Sequence, residues 1–110
     1  MSNKIIYTRV AYRSIKKILT YLVRSTKDRT IGEILIKNID KKCKQLIEFP
    51  YIGSVPNDPI LKSNGYRVLV CENYLIFYLY VKEDKIIYII TILNAKQDIQ
   101  KHFEDFNKRF

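Results

Sequence analysis

The period of apolar positions along the chain changes several times, and each change marks an element. Ile5-Ile6-Tyr7-Thr8 is a short β-branched and aromatic run, which predicts a strand. From Ala11 the spacing becomes helical: Ile15, Ile18, Leu19, Leu22 and Val23 recur three and four residues apart and share one face. Arg13, Lys16, Lys17, Thr20 and Arg24 fall largely outside that stripe. Ser25-Thr26-Lys27-Asp28-Arg29 is a polar break. A second helix is predicted from about Thr30 to Glu48, with Ile31, Leu35, Ile39, Cys43 and Leu46 as its stripe and Ile34 and Ile47 beside it. Two helices joined by so short a connection form an antiparallel hairpin.

Phe49-Pro50-Tyr51-Ile52-Gly53 ends the second helix, because proline is disfavoured inside one. The stretch Ser54 to Asn64, with Pro56 and Pro59, reads as the longest loop. Strand periodicity then takes over in three runs, Tyr66–Cys71, Tyr74–Val81 and Ile86–Leu93, separated by Glu72-Asn73 and by a turn around Glu83-Asp84-Lys85. Such short connections predict an antiparallel meander. Lys96 to Phe110 is polar, with Ile99, Phe103 and Phe106 at helical spacing, and predicts a short terminal helix. The expected class is α+β: an N-terminal strand, an α-helical hairpin packed on a small antiparallel β-meander sheet, and a short C-terminal helix. No linker or repeat divides residues 1–110, so a single domain is expected. With one face of the sheet under the hairpin, the other is expected to expose its side chains.

Composition narrows the partners. Across 110 residues, Lys and Arg number 20 against 11 Asp and Glu, a formal charge of +9. A charge of that size on a small chain predicts a partner of opposite sign. At 47 % hydrophobic and 28 % charged residues, the chain is globular rather than disordered. Two cysteines, Cys43 and Cys71, and one histidine, His102, are too few for a closed structural zinc site or a disulfide-dense scaffold. No apolar run reaches the roughly 18 residues that span a bilayer, and no signal-peptide core is evident. A cytoplasmic location with no membrane partner is expected.

Catalytic chemistry has little purchase. Asp98 and His102 lie four apart but lack a third ligand, so no metal is expected. A cysteine nucleophile would have only His102 as a base, and Cys43 lies on an apolar stripe. Gly32, Gly53 and Gly65 are too scattered for a phosphate-cradling loop, and no cofactor is expected. The basic residues are more informative. Lys62, Arg67 and Lys96 lie on or beside the strands, with Lys101 in the tail. Arginine suits phosphate because its planar fork donates parallel hydrogen bonds. Tyr66, Tyr74, Tyr78, Tyr80 and Tyr88 are interleaved with them, and tyrosines can stack on unpaired bases or simply pack. Arg67 sits in an otherwise apolar strand, where folding asks for no charge, and is the leading functional candidate. Helix cations such as Arg13, Lys16, Lys17, Lys41, Lys42 and Lys44 read as solvated surface.

Four segments in order carry a resemblance: Glu48-Phe49-Pro50-Tyr51-Ile52-Gly53, Gly65-Tyr66-Arg67-Val68-Leu69-Val70, Asn73-Tyr74-Leu75-Ile76-Phe77-Tyr78, and Ile89-Ile90-Thr91-Ile92-Leu93-Asn94-Ala95-Lys96-Gln97-Asp98. Together they resemble the RelE/ParE superfamily of bacterial toxins from Ile5 to about Asp98. The resemblance implies a helix hairpin backing a small antiparallel sheet. It also implies a type II toxin–antitoxin pair, associated with growth inhibition and plasmid stabilisation, in which an antitoxin wraps the toxin. Operator DNA is then bound only through the complex.

The two branches imply different targets. RelE-like toxins cut messenger RNA in the ribosome without a metal, whereas ParE-like toxins poison DNA gyrase. RelE-like members carry an arginine just after the aromatic that opens the second meander strand, where this chain has Leu75. They place basic or His-Tyr residues at the end of the last strand, where it has Asn94-Ala95-Lys96. Cleavage by 2′-hydroxyl attack needs a proton acceptor and groups that neutralise the phosphorane. His102 is in the tail, and phenols such as Tyr78 and Tyr88 ordinarily titrate near 10. The Phe-Pro-x-Ile-Gly, Tyr-Arg-x-Leu and Ala-Lys-Gln segments look closer to ParE. Three expectations follow: a gyrase-binding toxin without catalysis; a ribonuclease in which Arg67 holds the phosphate and Lys96 assists; or a degenerate member that binds only antitoxin or operator DNA. The residues expected to meet the target are Lys62, Tyr66, Arg67, Tyr74, Asn94, Lys96 and Lys101. An acidic or amphipathic antitoxin is expected to cover the groove beside the hairpin.

Overall fold

The computed structural model describes residues 2–96. The expected terminal helix, with Ile99, Lys101, Phe103 and Phe106, lies outside them. Strand β1 (Lys4–Tyr7) leads into α1 (Arg9–Thr26) and α2 (Arg29–Lys44), and a 3-10 turn (Gln45–Ile47) closes the second helix. Thr8 caps α1 by accepting the Ala11 N–H, and its hydroxyl reaches the Ile89 and Ile90 carbonyls, so one side chain starts the helix and anchors it to the sheet. Lys27, at φ 56°, ends α1 in the left-handed conformation, with its N–H donated to the Val23 carbonyl. Asp28 then caps α2 through the Thr30 N–H. The polar break is thus a C-cap followed at once by an N-cap.

A third helix, α3 (Pro59–Ser63), occupies the stretch that reads as loop. Asp58 accepts from Ile60 and Leu61, and Pro59 fills a first-turn position whose missing N–H is no loss. Strands β2 (Arg67–Cys71), β3 (Tyr74–Val81) and β4 (Ile86–Asn94) form the expected meander. The sheet order is β1-β4-β3-β2, with β1 running parallel to β4, so the sheet is mixed.

The central strands carry a bulge. Phe77 pairs with Thr91 and Tyr78 with Ile89, leaving Ile90 as an extra residue in β4. The insertion resets the alternation, and Ile87, Ile89 and Ile92 all join the helix-side core with Ile76 and Tyr78. Ala11, Leu35, Ile39, Cys43 and Leu46 cover that core from the hairpin. Each buried Leu or Ile among them contributes roughly 1.5–3 kcal/mol.

The far face differs from the expectation of open strands. Phe77 and Leu93 are buried there with Leu61 of α3, and Tyr66, Val68 and Leu75 pack around them. The one-turn α3 is what gives this face a small core of its own.

Candidate functional site

The segment after α2 is tied to the sheet by two side chains that face each other across the β2–β3 ladder, Arg67 and Tyr78. The Tyr78 hydroxyl donates to the Pro50 carbonyl at 2.8 Å and accepts the Gly53 N–H at 3.0 Å. Arg67 Nη1 donates to the Tyr51 carbonyl at 3.1 Å and to the Gly53 carbonyl at 2.8 Å. Ser54 and Val68 exchange backbone hydrogen bonds at 2.9 Å, extending the outer edge of β2. Only glycine fits at position 53: a Cβ there would lie 2.6 Å from the Tyr78 ring and 2.8 Å from the Val68 carbonyl. Burial pushes the Tyr78 phenol up, although the Gly53 N–H and the Arg67 charge pull the other way. Tyr78 therefore stays protonated and acts as a clasp.

Arg67 thus has a folding role that its apolar surroundings do not suggest. Its charge holds a loop whose carbonyls have no ladder to join. The guanidinium also lies 5.1 Å from the centre of the Tyr51 ring, and that ring meets Tyr80 edge-on at 5.3 Å. Tyr80 in turn donates to Asn3, which donates to the Ile47 carbonyl. The fastened loop keeps Phe49, Tyr51, Ile52 and Val55 exposed.

The other expected site residues are scattered. Lys62 is exposed on the last turn of α3. Tyr66 packs on the far-face core, and burial raises its pKa. Tyr74 is only 9 % exposed and belongs to the helix-side core, so it is a packing residue and not an open platform. Asn94 pairs with Tyr74, and its side chain accepts the N–H of the exposed Lys96. Arg67 and the Lys96 end of β4 are not brought together: β3 meets Arg67 at Tyr78 and Asn94 at Tyr74. Those positions are about 13 Å apart along a strand. Lys101 lies outside the described residues.

Among the described residues no acid–base group completes either cation. Lys44 and Asp40 form a side-chain ion pair at 2.9 Å on α2. The hydrogen bond from Lys44 and the Tyr7 hydroxyl bond hold the Asp40 carboxyl below its ordinary value despite some burial. Both cysteines are free and buried, and burial raises the Cys43 thiol to about 11, far from a reactive thiolate at neutral pH. Among the described residues no group of three or more His, Cys, Asp or Glu could hold a metal ion, and no helix is long and apolar enough to cross a membrane.

The family model for the ParE toxin of type II toxin–antitoxin systems, parDE, matches residues 5–99. The chain belongs to the ParE toxin family. It is therefore the toxin component of a type II system. Solved structures with similar folds include the chromosomal ParDE system of P. aeruginosa, with 21 % identity and a TM-score of 0.68, covering 84 % of this chain and 95 % of that one. A free-state mutant of the E. coli toxin RelE gives a TM-score of 0.63 at 15 % identity, over 100 % and 99 % of the two chains. The intact E. coli RelBE complex gives 0.57 at 15 % identity, over 86 % and 99 %. No curated protein matches by sequence.

In this ParE-family chain, the clasped loop is the feature that sequence reasoning missed. Phe-Pro-x-Ile-Gly was legible as a family segment and a helix stop. Its partners were not, because Arg67 and Tyr78 reach it from 14 and 25 or more residues away.

Proposed function

We propose that this toxin arrests growth by binding its target rather than by cleaving RNA, with DNA gyrase as the target. The separation of Arg67 from Lys96, with both Nη1 protons of Arg67 engaged by loop carbonyls, carries this reading. A ribonuclease needs its phosphate-holding and proton-moving groups around one phosphate. The described residues place no carboxylate within ion-pair distance of either cation, and the phenol opposite Arg67 is held protonated.

Binding is better served. Arg67 and Tyr78 hold exposed Phe49, Tyr51, Ile52 and Val55 on a pre-ordered loop, which reduces the entropy lost on docking. Lys62 and Lys96 are the exposed cations of the sheet side that would meet the target. An antitoxin neutralises the toxin, as the pairing of ParE with ParD and of RelE with RelB in the similar structures suggests, and operator DNA is met through that complex.

The test is induction without antitoxin, combined with supercoiling assays on purified gyrase. Loss of supercoiling with intact mRNA is the expected result. Codon-positioned mRNA cuts with normal supercoiling would overturn the proposal in favour of the ribonuclease. Absence of arrest would leave a protein that only binds antitoxin.

A further inference from the structure

The five cations of α1 are Arg9, Arg13, Lys16, Lys17 and Arg24, and the helix holds no acidic residue. All five are exposed. At 3.6 residues per turn they fall within an arc of about 100° and run about 22 Å along the axis. The opposite face is committed to the core through Ala11, Ile15, Ile18 and Leu22. Among the described residues none of the five pairs with a carboxylate. On α2, by contrast, Glu33 and Asp40 are mixed with the cations.

This arrangement works against the helix that carries it. Arg9 sits in the first turn, where the helix dipole favours an anion. Arg9 with Arg13, and Arg13 with Lys17, are like charges at four-residue spacing, which repel. A row that local stability disfavours, and that no partner within the described residues relieves, is the pattern of a surface kept for an external polyanion.

We infer that the outer face of α1 is a docking strip for the phosphate backbone of double-stranded DNA. Four features favour this occupant. A helix with its side chains is about 10–12 Å across, and the B-form major groove is about 12 Å wide. The A-form groove of duplex RNA is too narrow to admit it. The apolar face of α1 is already buried in the protein, so the helix cannot lie in a membrane interface. The arc of cations itself holds no aromatic or apolar residue; the exposed Tyr12 and Tyr21 lie about 40° beyond its two edges, so a stacked base or an apolar protein anchor would sit beside the charges and not among them. Arg and Lys can also bond guanine edges, but α1 has no Asn, Gln, Asp or Glu to read the other bases, so binding depends mainly on the backbone and only weakly on sequence. This contact is separate from the proposed action on gyrase and needs neither gyrase nor toxicity to be measured.

The test is fluorescence anisotropy of the full-length toxin with a labelled mixed-sequence DNA duplex over a range of salt concentrations. Two variants with equal loss of charge are compared: Arg13→Gln/Lys16→Gln/Lys17→Gln/Arg24→Gln, and Lys4→Gln/Lys37→Gln/Lys41→Gln/Lys82→Gln. Circular dichroism selects folded protein, and if the α1 quadruple fails to fold, the Lys16→Gln/Lys17→Gln double replaces it. The expected result is binding whose salt slope falls by about 0.9 for each α1 charge removed, with affinity at least tenfold weaker for the α1 quadruple than for the control. Equal losses in the two variants would overturn the inference. So would tighter binding to an RNA duplex or to anionic vesicles than to DNA.

Discussion

The Arg67 guanidinium stacks 5.1 Å from the centre of the Tyr51 ring while its Nη1 donates to the Tyr51 carbonyl, so the strand residue holds both the side chain and the backbone of one loop residue. Removing this grip leaves the Tyr51 and Gly53 carbonyls without their donor. Arg67→Ala should lower stability by about 1–2 kcal/mol, the range for hydrogen bonds from a partly exposed charge. Denaturant titration checks the loss. Hydrogen exchange should show faster opening at residues 50–54, with the helix hairpin unchanged.

Gly53→Ala should be the more damaging of the two. The new methyl would strike both the Tyr78 ring and the Val68 backbone, and the ring is fully buried. Displacing it should cost about 2–4 kcal/mol. Tyr78→Phe relieves the hydroxyl contact at 2.6 Å but gives up the bonds to Pro50 and Gly53, so the double variant should be destabilised by less than the sum of the two single losses. Thermal unfolding of the single and double variants tests this coupling.

Leu61→Ala should cost about 2–3 kcal/mol by opening a cavity over Phe77 and Leu93. A residue in an unstructured loop would cost almost nothing. A loss below 0.5 kcal/mol would show that α3 contributes no core, and urea unfolding distinguishes the outcomes.

Alkali should weaken the fold before other groups matter. Cys43 has its thiol pKa raised from 9.0 to about 11, first by burial. Its contribution is complete below pH 9 and is lost as pH rises from about 9 through 11, because the unfolded thiol ionises first. Burial pushes Tyr7 and Tyr78 up as well, extending the decline above pH 10. Cys43→Ala should flatten the dependence between pH 9 and 11 while lowering stability overall, as read from urea midpoints at several pH values.

Asp40 acts at the other end of the scale. Its carboxyl is held below the ordinary value of 3.8, chiefly by Lys44. Its contribution is present above that value and is lost as pH falls through the lowered one. Asp40→Asn should therefore narrow the stability gap to wild type below about pH 4. The effect is small because the pair is exposed. Acid titrations of both proteins provide the measurement.

Periodicity carried most of the architecture. The stripes of α1 and α2 and the runs of β2, β3 and β4 needed only local spacing, and the elements lie where that spacing put them. The bulge at Ile90 was invisible because β4 is apolar on both faces, so a shift in alternation leaves no mark in the sequence. The helix α3 was hidden by its prolines, although Asp58-Pro59 is a cap followed by a favoured first residue. Arg67 read as a free charge because carbonyl partners 14 and 16 residues earlier leave no compositional signal. For the same reason Tyr74 read as a surface tyrosine: nothing in its own strand distinguishes the two faces.

The parallel pairing of β1 with β4 joins segments about 80 residues apart in the chain. During translation the hairpin emerges long before the strands that cover it. At 5–20 residues per second, roughly 4–16 s separate the two strands of this pair. For about the second half of that interval Ile39, Cys43 and Leu46 have been made but lack β4 to complete their shelter. The nascent toxin thus carries an uncovered apolar hairpin face until its last strand is made.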